Sequence, residues 1–449
     1  MFKLSSWTQL FATHTLFVTL LACTPAGTFA QQNDIVASAE RMEQRIQALS
    51  RFGANPEGGV SRVAFSKADL EGRRYIMALM QDAGLEVHVD TAGNIIGRRA
   101  GSENALPPII FGSHIDSVPG GGNYDGDVGV VGAIEVIELL NEHGIQTRHP
   151  IEVVSFTDEE GGLTGSRAMT GKLTDAALDV VSHSGMTIRE GIEYVGGDSD
   201  RLDLAARSPG DLTAFVELHI EQGAILYEEN IDIGVVEGIV GIRWWDITIE
   251  GKANHAGTTP MKRRRDAMVS AAELTLAINR IANDLAGRQV ATVGRIQAFP
   301  GAPNVIPGKV AMSLEIRDLD ADKMQHVFDL INVEADRIVY ARSTPIRFSE
   351  LDVASLPAPT DERMRNIISS AADALGLSYR LMPSGAGHDA QDMAAIVPTG
   401  MIFVPSVNGI SHSPDEFTTA EDMANGASVL LQTVLAIDDG ALDQAIDRN

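Results

Sequence analysis

The chain of 449 residues holds a single cysteine, Cys23, close to its N-terminus. No internal disulfide can form, and thiolate chemistry in the body of the chain is excluded, so any metal must sit on His, Asp and Glu. Positive charge is also in short supply: 35 Lys and Arg face 61 Asp and Glu, a formal charge of -26. Such a surface repels phosphate backbones and anionic headgroups, which argues against nucleic acid as a partner. Prolines number 18 against 43 glycines, a balance that favours tight turns over disorder. Long apolar runs are missing as well. The stretch from Leu10 to Ala22 spans about thirteen residues, short of the roughly 20 that a helix needs to cross a bilayer. With neither an internal repeat nor a low-complexity tract, the collagen, coiled-coil and disulfide-scaffold classes fall away.

What remains is an ordinary globular composition, 44% hydrophobic and 21% charged, at a length that suits two compact domains. Residues 1–30 carry Lys3, the apolar run, and Thr28-Phe29-Ala30 ahead of Gln31. That is the layout of a cleaved secretory signal, and it predicts an exported protein, periplasmic or secreted, with no membrane span in the mature chain. Leu20-Leu21-Ala22-Cys23 is an imperfect lipoprotein box, so anchoring at Cys23 is the lesser alternative. Short apolar runs at 109–111, 151–156 and 212–218 read as strands, and helical spacing covers 129–143. This rhythm predicts an α/β body with a doubly wound, mostly parallel sheet. The pattern then changes to strand 244–250, helix 266–285, strands 290–299 and 310–318, helix 322–339 and strand 345–349. We read this as an inserted α+β, ferredoxin-like unit with two helices on one face of a small antiparallel sheet. The expected layout is a signal over 1–30, a body over 31–226 and 350–449, and an insert over 227–349.

Open α/β sheets bind ligands beyond the carboxyl ends of their strands, and the polar clusters of this sequence fall there. His114-Ile115-Asp116 follows the first strand. A histidine so placed can ligate a metal through one ring nitrogen while Asp116 holds the other N–H and fixes the tautomer; a surface hydrogen bond is the plain alternative. Asp125 stands in Gly120-Gly121-Gly122-Asn123-Tyr124-Asp125-Gly126-Asp127, where glycines let the backbone approach closely and aim Asp125 back toward His114. Alone this is equally a flexible acidic loop, and it lacks the spacing and terminal Glu of an EF-hand. Asp158-Glu159-Glu160 follows the next strand. Crowded carboxylates make sense if a cation neutralises Glu160 while Glu159 stays free to take a proton as general base; otherwise they form a solvated acidic turn. His219 follows the third strand, and His412 lies beyond a strand at 401–404. Three histidines, an aspartate and a glutamate suit two divalent cations that share Asp125 and keep open positions for water.

Taken together, these motifs resemble the dizinc amidohydrolases that include N-carbamoyl-L-amino-acid hydrolases, β-ureidopropionases and allantoate amidohydrolases, relatives of the aminoacylase and carboxypeptidase-type exopeptidases. The resemblance covers residues 35–435. His219-Ile220-Glu221-Gln222-Gly223 is its most specific motif, since it separates the carbamoylase-like branch from the exopeptidases. The resemblance implies that His114 and His219 hold one ion, Glu160 and His412 the other, and Asp125 both. Zn2+ is the default, and Mn2+, Co2+ or Ni2+ suit the same donors. It implies that Glu159 is the base and that His255 is a lid residue stabilising the oxyanion. Asn304, Gln222 and His388 would bind substrate, Arg317 would grip its carboxylate, and the insert would pair two copies into a homodimer. From the residues alone, Arg317 could equally form a salt bridge with Glu315 or Asp318, and His388 could cap its loop. His14, His88, His143, His149, His183 and His326 match no motif. The implied activity is hydrolysis of a ureido or amide C–N bond in a small carboxylate substrate, with a carbamoyl group leaving as ammonia and carbon dioxide. An aminoacylase or dipeptidase of the same fold is the nearer alternative, and an inactive exported solute-binding protein the more distant one. The export signal departs from the better-known members, which are cytoplasmic.

Overall fold

The computed structural model describes Met1, residues 35–351 and residues 355–444; apart from Met1, the expected signal, Cys23 included, lies outside the described residues. The large sheet opens with an antiparallel pair, β1 (Glu86–Val89) and β2 (Ile95–Arg99). Its centre is built from apolar runs: β3 (Ile109–His114), β4 (Ile151–Phe156) and β5 (Ala214–Ile220) are buried at every residue. Strands apolar on both faces need cover on both, and a parallel sheet flanked by helices supplies it. The helix Asp127–Glu142 is buried around most of its circumference and packs on β3 and β5 beside the helix Ala420–Asp438.

The chain then passes through β6 (Ile233–Ile239) into the insert. There β7 (Gly241–Glu250), β8 (Asn254–His255), β9 (Val290–Thr292), β10 (Ile296–Phe299), β11 (Val305–Ile306), β12 (Lys309–Asp318) and β13 (Ile346–Glu350) follow in turn. The antiparallel order β10-β12-β7-β13 has the helices Ala267–Asp284 and Ala321–Arg342 packed against it, around a core of its own. Alternation in β12 places Val310, Met312, Leu314 and Ile316 in that core, as a sheet covered on one face requires. Back in the body, β14 (Ala358–Pro359), β15 (Tyr379–Ser384) and β16 (Thr399–Val404) complete the large sheet, in the order β1-β2-β4-β3-β5-β16-β6-β14 with β15 also on β6. Its four central strands, β4, β3, β5 and β16, run parallel.

Two details differ from expectation. Residues 233–239, which the sequence reading places inside the insert, form a strand of the large sheet; they are almost wholly buried there, and the crossing falls at Val240 instead of 227. The expected strand 290–299 is broken. Thr292 pairs with Glu315 and Ile296 with Met312, so three residues oppose two, a bulge placed at Gly294. Where the chain passes between body and insert, Ile242 and Ser355 exchange backbone hydrogen bonds of 2.9 and 3.0 Å. Among the described residues, no helix is long and apolar enough to cross a membrane.

Candidate metal centre

His114 ends β3, His219 lies near the end of β5, and these strands are neighbours, so the two imidazoles stand with ring centroids 5.7 Å apart. Asp125 comes from the glycine loop ahead of the helix Asp127–Glu142. Gly126 is indispensable in that loop: its φ is +66°, and a Cβ there would lie 2.5 Å from the His114 ring. Glu159 and Glu160 occupy the turn after β4, and His412 the loop after β16. Asp158, Gln222 and His412 all hold positive φ, a backbone state that non-glycine residues rarely adopt and that clusters at functional sites.

These loops meet. Asp125 Oδ1 lies 3.0 Å from His219 Nε2 and 3.5 Å from His114 Nε2, while its Oδ2 lies 3.3 Å from His412 Nε2. His412 Nε2 is in turn 3.4 Å from Glu160 Oε1. The five side chains therefore form two three-donor groups that share Asp125: His114, Asp125 and His219, then Asp125, Glu160 and His412. Glu159 adjoins both, its Oε2 3.6 Å from His114 Nε2.

The imidazole tautomers follow from their partners. His114 Nδ1 lies 3.0 Å from the Asp116 carbonyl, and His219 Nδ1 lies 2.9 Å from the Ile220 carbonyl. A carbonyl only accepts, so each Nδ1 carries a proton and a neutral ring turns the lone pair of Nε2 toward Asp125. A lone pair facing a carboxylate repels it unless a cation or a proton stands between. His114 Nε2 and Glu160 Oε1 are buried without any hydrogen-bond partner among the described residues, so the donor set fits a cation on the Asp125 side of both groups.

Charges in the site follow the crowding. Burial pushes Asp125 up, but His219, His114 and His412 outweigh it and hold its carboxyl well below the usual range. His412 rises to about 9, chiefly through its contact with Asp125. Glu160 rises to about 7 through burial and the nearby Asp125, and Glu159 stands well above a normal glutamate through burial reinforced by Asp389, Glu160 and Asp125. A buried, elevated carboxyl beside a potential cation site is the profile of a group that receives and returns a proton.

A cavity of about 200 Å³ is lined by Asp125, Glu159, Glu160, Gln222, His388 and His412, with Leu163, Ala386 and Gly387. Gln222 Nε2 donates to Asp125 Oδ2 at 2.6 Å. His388 is buried with Nε2 2.8 Å from Ser384 Oγ, its ring lies 4.5 Å from that of His219, and burial, followed by the neighbouring His219, keeps its pKa well below normal. It makes no side-chain cap to the helix that follows it.

The remaining sequence candidates sit differently. Asp116 positions the site, yet by another contact than expected: its backbone carbonyl, not its carboxylate, holds His114. The carboxylate is 3.7 Å from that ring and accepts instead from the backbone N–H groups of Glu159 and Glu160, both at 3.2 Å. His255, Asn304 and Arg317 stand outside the cavity lining. His255 and Asn304 are exposed on adjoining segments of the insert, where β8 pairs with β11 and the Ala256 N–H donates to the Asn304 carbonyl at 3.0 Å. His255 Nδ1 accepts the Gly257 N–H at 2.9 Å, which leaves the proton on Nε2, facing outward as a donor. Arg317 pairs with Glu315 at 3.0 Å and reaches the Gly385 carbonyl at 2.6 Å, beside the loop that carries His388. The salt-bridge alternative is thus realised here, with a contact to the body added.

Sequence reasoning missed two buried carboxylates. Glu217 accepts from Ser113 Oγ and the Ala390 N–H, and Glu416 accepts from both the Asp125 and His412 loops. A signal for Glu217 existed: it stands two residues before His219 in an otherwise apolar strand and so shares its face. Glu416, in Ser413-Pro414-Asp415-Glu416, looks like any acidic turn.

Comparison with known proteins gives a consistent picture. The profile of peptidase family M20/M25/M40 matches residues 110–436. An N-carbamoyl-L-amino acid amidohydrolase of Geobacillus stearothermophilus is 43% identical over 89% of this chain and 99% of its own length. The allantoate amidohydrolase of Escherichia coli is 35% identical over 87% of this chain and 96% of its own. Among solved structures, an amidase of the hydantoinase/carbamoylase family from Burkholderia multivorans superposes with a TM-score of 0.83 at 38% identity, covering 90% of this chain and 98% of its own.

Proposed function

This chain belongs to peptidase family M20/M25/M40, and from that premise we propose that it is a metal-dependent amidohydrolase cleaving a ureido C–N bond in a small carboxylate substrate. An N-carbamoyl-L-amino acid, ureidopropionate or allantoate has the required chemistry. The observation that carries the proposal is the pair of donor groups sharing Asp125, with Glu159 at their side. His114 and His219 would hold one ion and Glu160 and His412 the other, with Asp125 common to both; zinc is the first choice, and manganese, cobalt or nickel also suit oxygen and imidazole donors. Ions bound there lower the pKa of water toward about 7 and polarise the carbonyl under attack.

The chain's own residues supply the rest. Glu159 takes the proton of the attacking water, a C–O bond forms at the ureido carbon, and the same carboxyl returns the proton to the departing nitrogen as the C–N bond breaks. A released carbamate decomposes to ammonia and carbon dioxide. His255, with its proton on Nε2, is set to donate to the developing oxyanion. Arg317 would exchange Glu315 for the substrate carboxylate, a planar fork meeting a planar anion, while Asn304, Gln222 and His388 orient the remainder. Since His255 and Asn304 stand away from the cavity, their use requires the insert to swing inward or a second copy, paired through the insert, to present them.

The test is ammonia release from N-carbamoyl-L-amino acids, ureidopropionate and allantoate, beside acyl and peptidyl amides, with and without chelator. Chelator-sensitive ammonia release supports the proposal. Cleavage confined to acyl or peptidyl amides would make the chain an aminoacylase or dipeptidase, and a metal-loaded sample inert on the whole panel would leave a binding protein.

A further inference from the structure

The two donor groups are not held alike. His114 and His219 sit on central strands, each ring fixed by a backbone carbonyl. His412 rides on a loop with nearly half its side chain exposed, and among the described residues its Nε2 has contacts only with Asp125, Glu160 and Gln222. One buried carboxylate ties that loop to the rest of the site. Glu416 Oε1 accepts the backbone N–H groups of Tyr124 and Asp125, both at 3.0 Å. Its Oε2 accepts Ser411 Oγ at 2.9 Å and the His412 N–H at 3.2 Å. The fit is close, since a Cβ on Gly122 would lie 2.1 Å from Oε1.

We propose that Glu416 is a positioning residue that clamps the Asp125 loop to the His412 loop and thereby sets the affinity of the second metal group alone. The inference rests on the two-ion reading above and deepens it. All four donors point at the carboxylate, so both oxygens must accept. Glutamine cannot replace it: with its carbonyl toward Tyr124 and Asp125, its NH2 faces the His412 N–H, donor against donor. Asp125 serves both groups, but its N–H keeps an acceptor in this orientation, and the His114 and His219 rings are held by backbone carbonyls, so the loss falls on the His412 loop.

The experiment titrates metal-free wild type and E416Q with cobalt(II) and follows visible absorption and bound metal per chain, without substrate. Wild type takes up two ions. E416Q keeps the first at unchanged affinity and binds the second roughly 10–100-fold more weakly, the usual scale for a group that orients metal ligands. Circular dichroism and thermal unfolding of the metal-free forms check that the variant is folded. Should E416Q fail to fold, S411A takes its place: it removes the hydroxyl spanning Glu416 and Asp125 and must show the same selective loss in weaker form. Two ions bound to the folded variant at wild-type affinities, or both sites weakened equally, would overturn the role of Glu416. A wild-type chain that binds fewer than two ions would overturn the two-ion reading itself.

Discussion

The body and the insert present their candidate residues in opposite ways. In the body, His114, Glu159 and His219 are buried, Asp125 lies 3.0 Å from His219 and 3.5 Å from His114, and backbone carbonyls set the histidine tautomers. In the insert, His255 and Asn304 are exposed, and Arg317 is paired with its strand neighbour Glu315. The body's candidate groups are preorganised, whereas on the proposed reading the insert's donors would become useful only when substrate and body meet them. If the proposed roles hold, a fold that encloses its reacting groups and leaves its substrate-gripping groups outside could admit a ligand without dismantling its centre.

Mutations can break this contrast. The largest effect is expected for Asp125→Ala, which removes the one donor common to both groups; bound metal should fall to near zero and activity to background, checked by elemental analysis beside ammonia release. Glu159→Gln should retain metal yet lose roughly 10²–10⁴-fold in kcat, since it removes only the proton carrier. His255→Ala, on the insert, should lose about 10²–10³-fold in kcat with metal content unchanged. If that variant shed metal, the division between a reacting body and a gripping insert would not hold.

The smallest effect concerns stability. Asp69 is buried, accepts the Phe65 N–H, and is raised from 3.8 to about 6, chiefly by burial. Because the folded chain holds this proton more tightly than the unfolded one, the site's contribution is full below about pH 3.8 and is lost as pH rises through about 6. Asp69→Asn cannot ionise and escapes that loss. Between about pH 4 and pH 7 the variant should gain roughly 3 kcal/mol relative to wild type, read from urea unfolding of the metal-free proteins.

Much of the body was legible because buried parallel strands leave unbroken apolar runs and the functional motifs sit directly past their ends. His114, Asp125, Glu160, His219 and His412 could be gathered from sequence for that reason. Strand partnership was less visible. Residues 233–239 are as apolar as any body strand, and only pairing with β15 and β16 assigns them to the large sheet. The break in 290–299 depends on a register shift against β12 that leaves no mark in hydrophobicity. Asp116 was placed in the right neighbourhood with the wrong atom, since a carbonyl and a carboxylate on one residue compete for the same ring. Glu416 was invisible because its four partners come from loops nearly 300 residues apart, and nothing local distinguishes a clamp from a solvated acid.

The exchange of hydrogen bonds between Ile242 and Ser355 has a mechanical consequence. A single tether would let the insert spin and wander, but two passages stapled side by side behave like the leaves of a door on common pins. Torsion in one passage would be handed to the other, so any turn of the insert against the body would strain both hydrogen bonds. A replacement at Ile242 or Ser355 that spoiled the staple would loosen the aim of every residue the insert carries, without touching any of them.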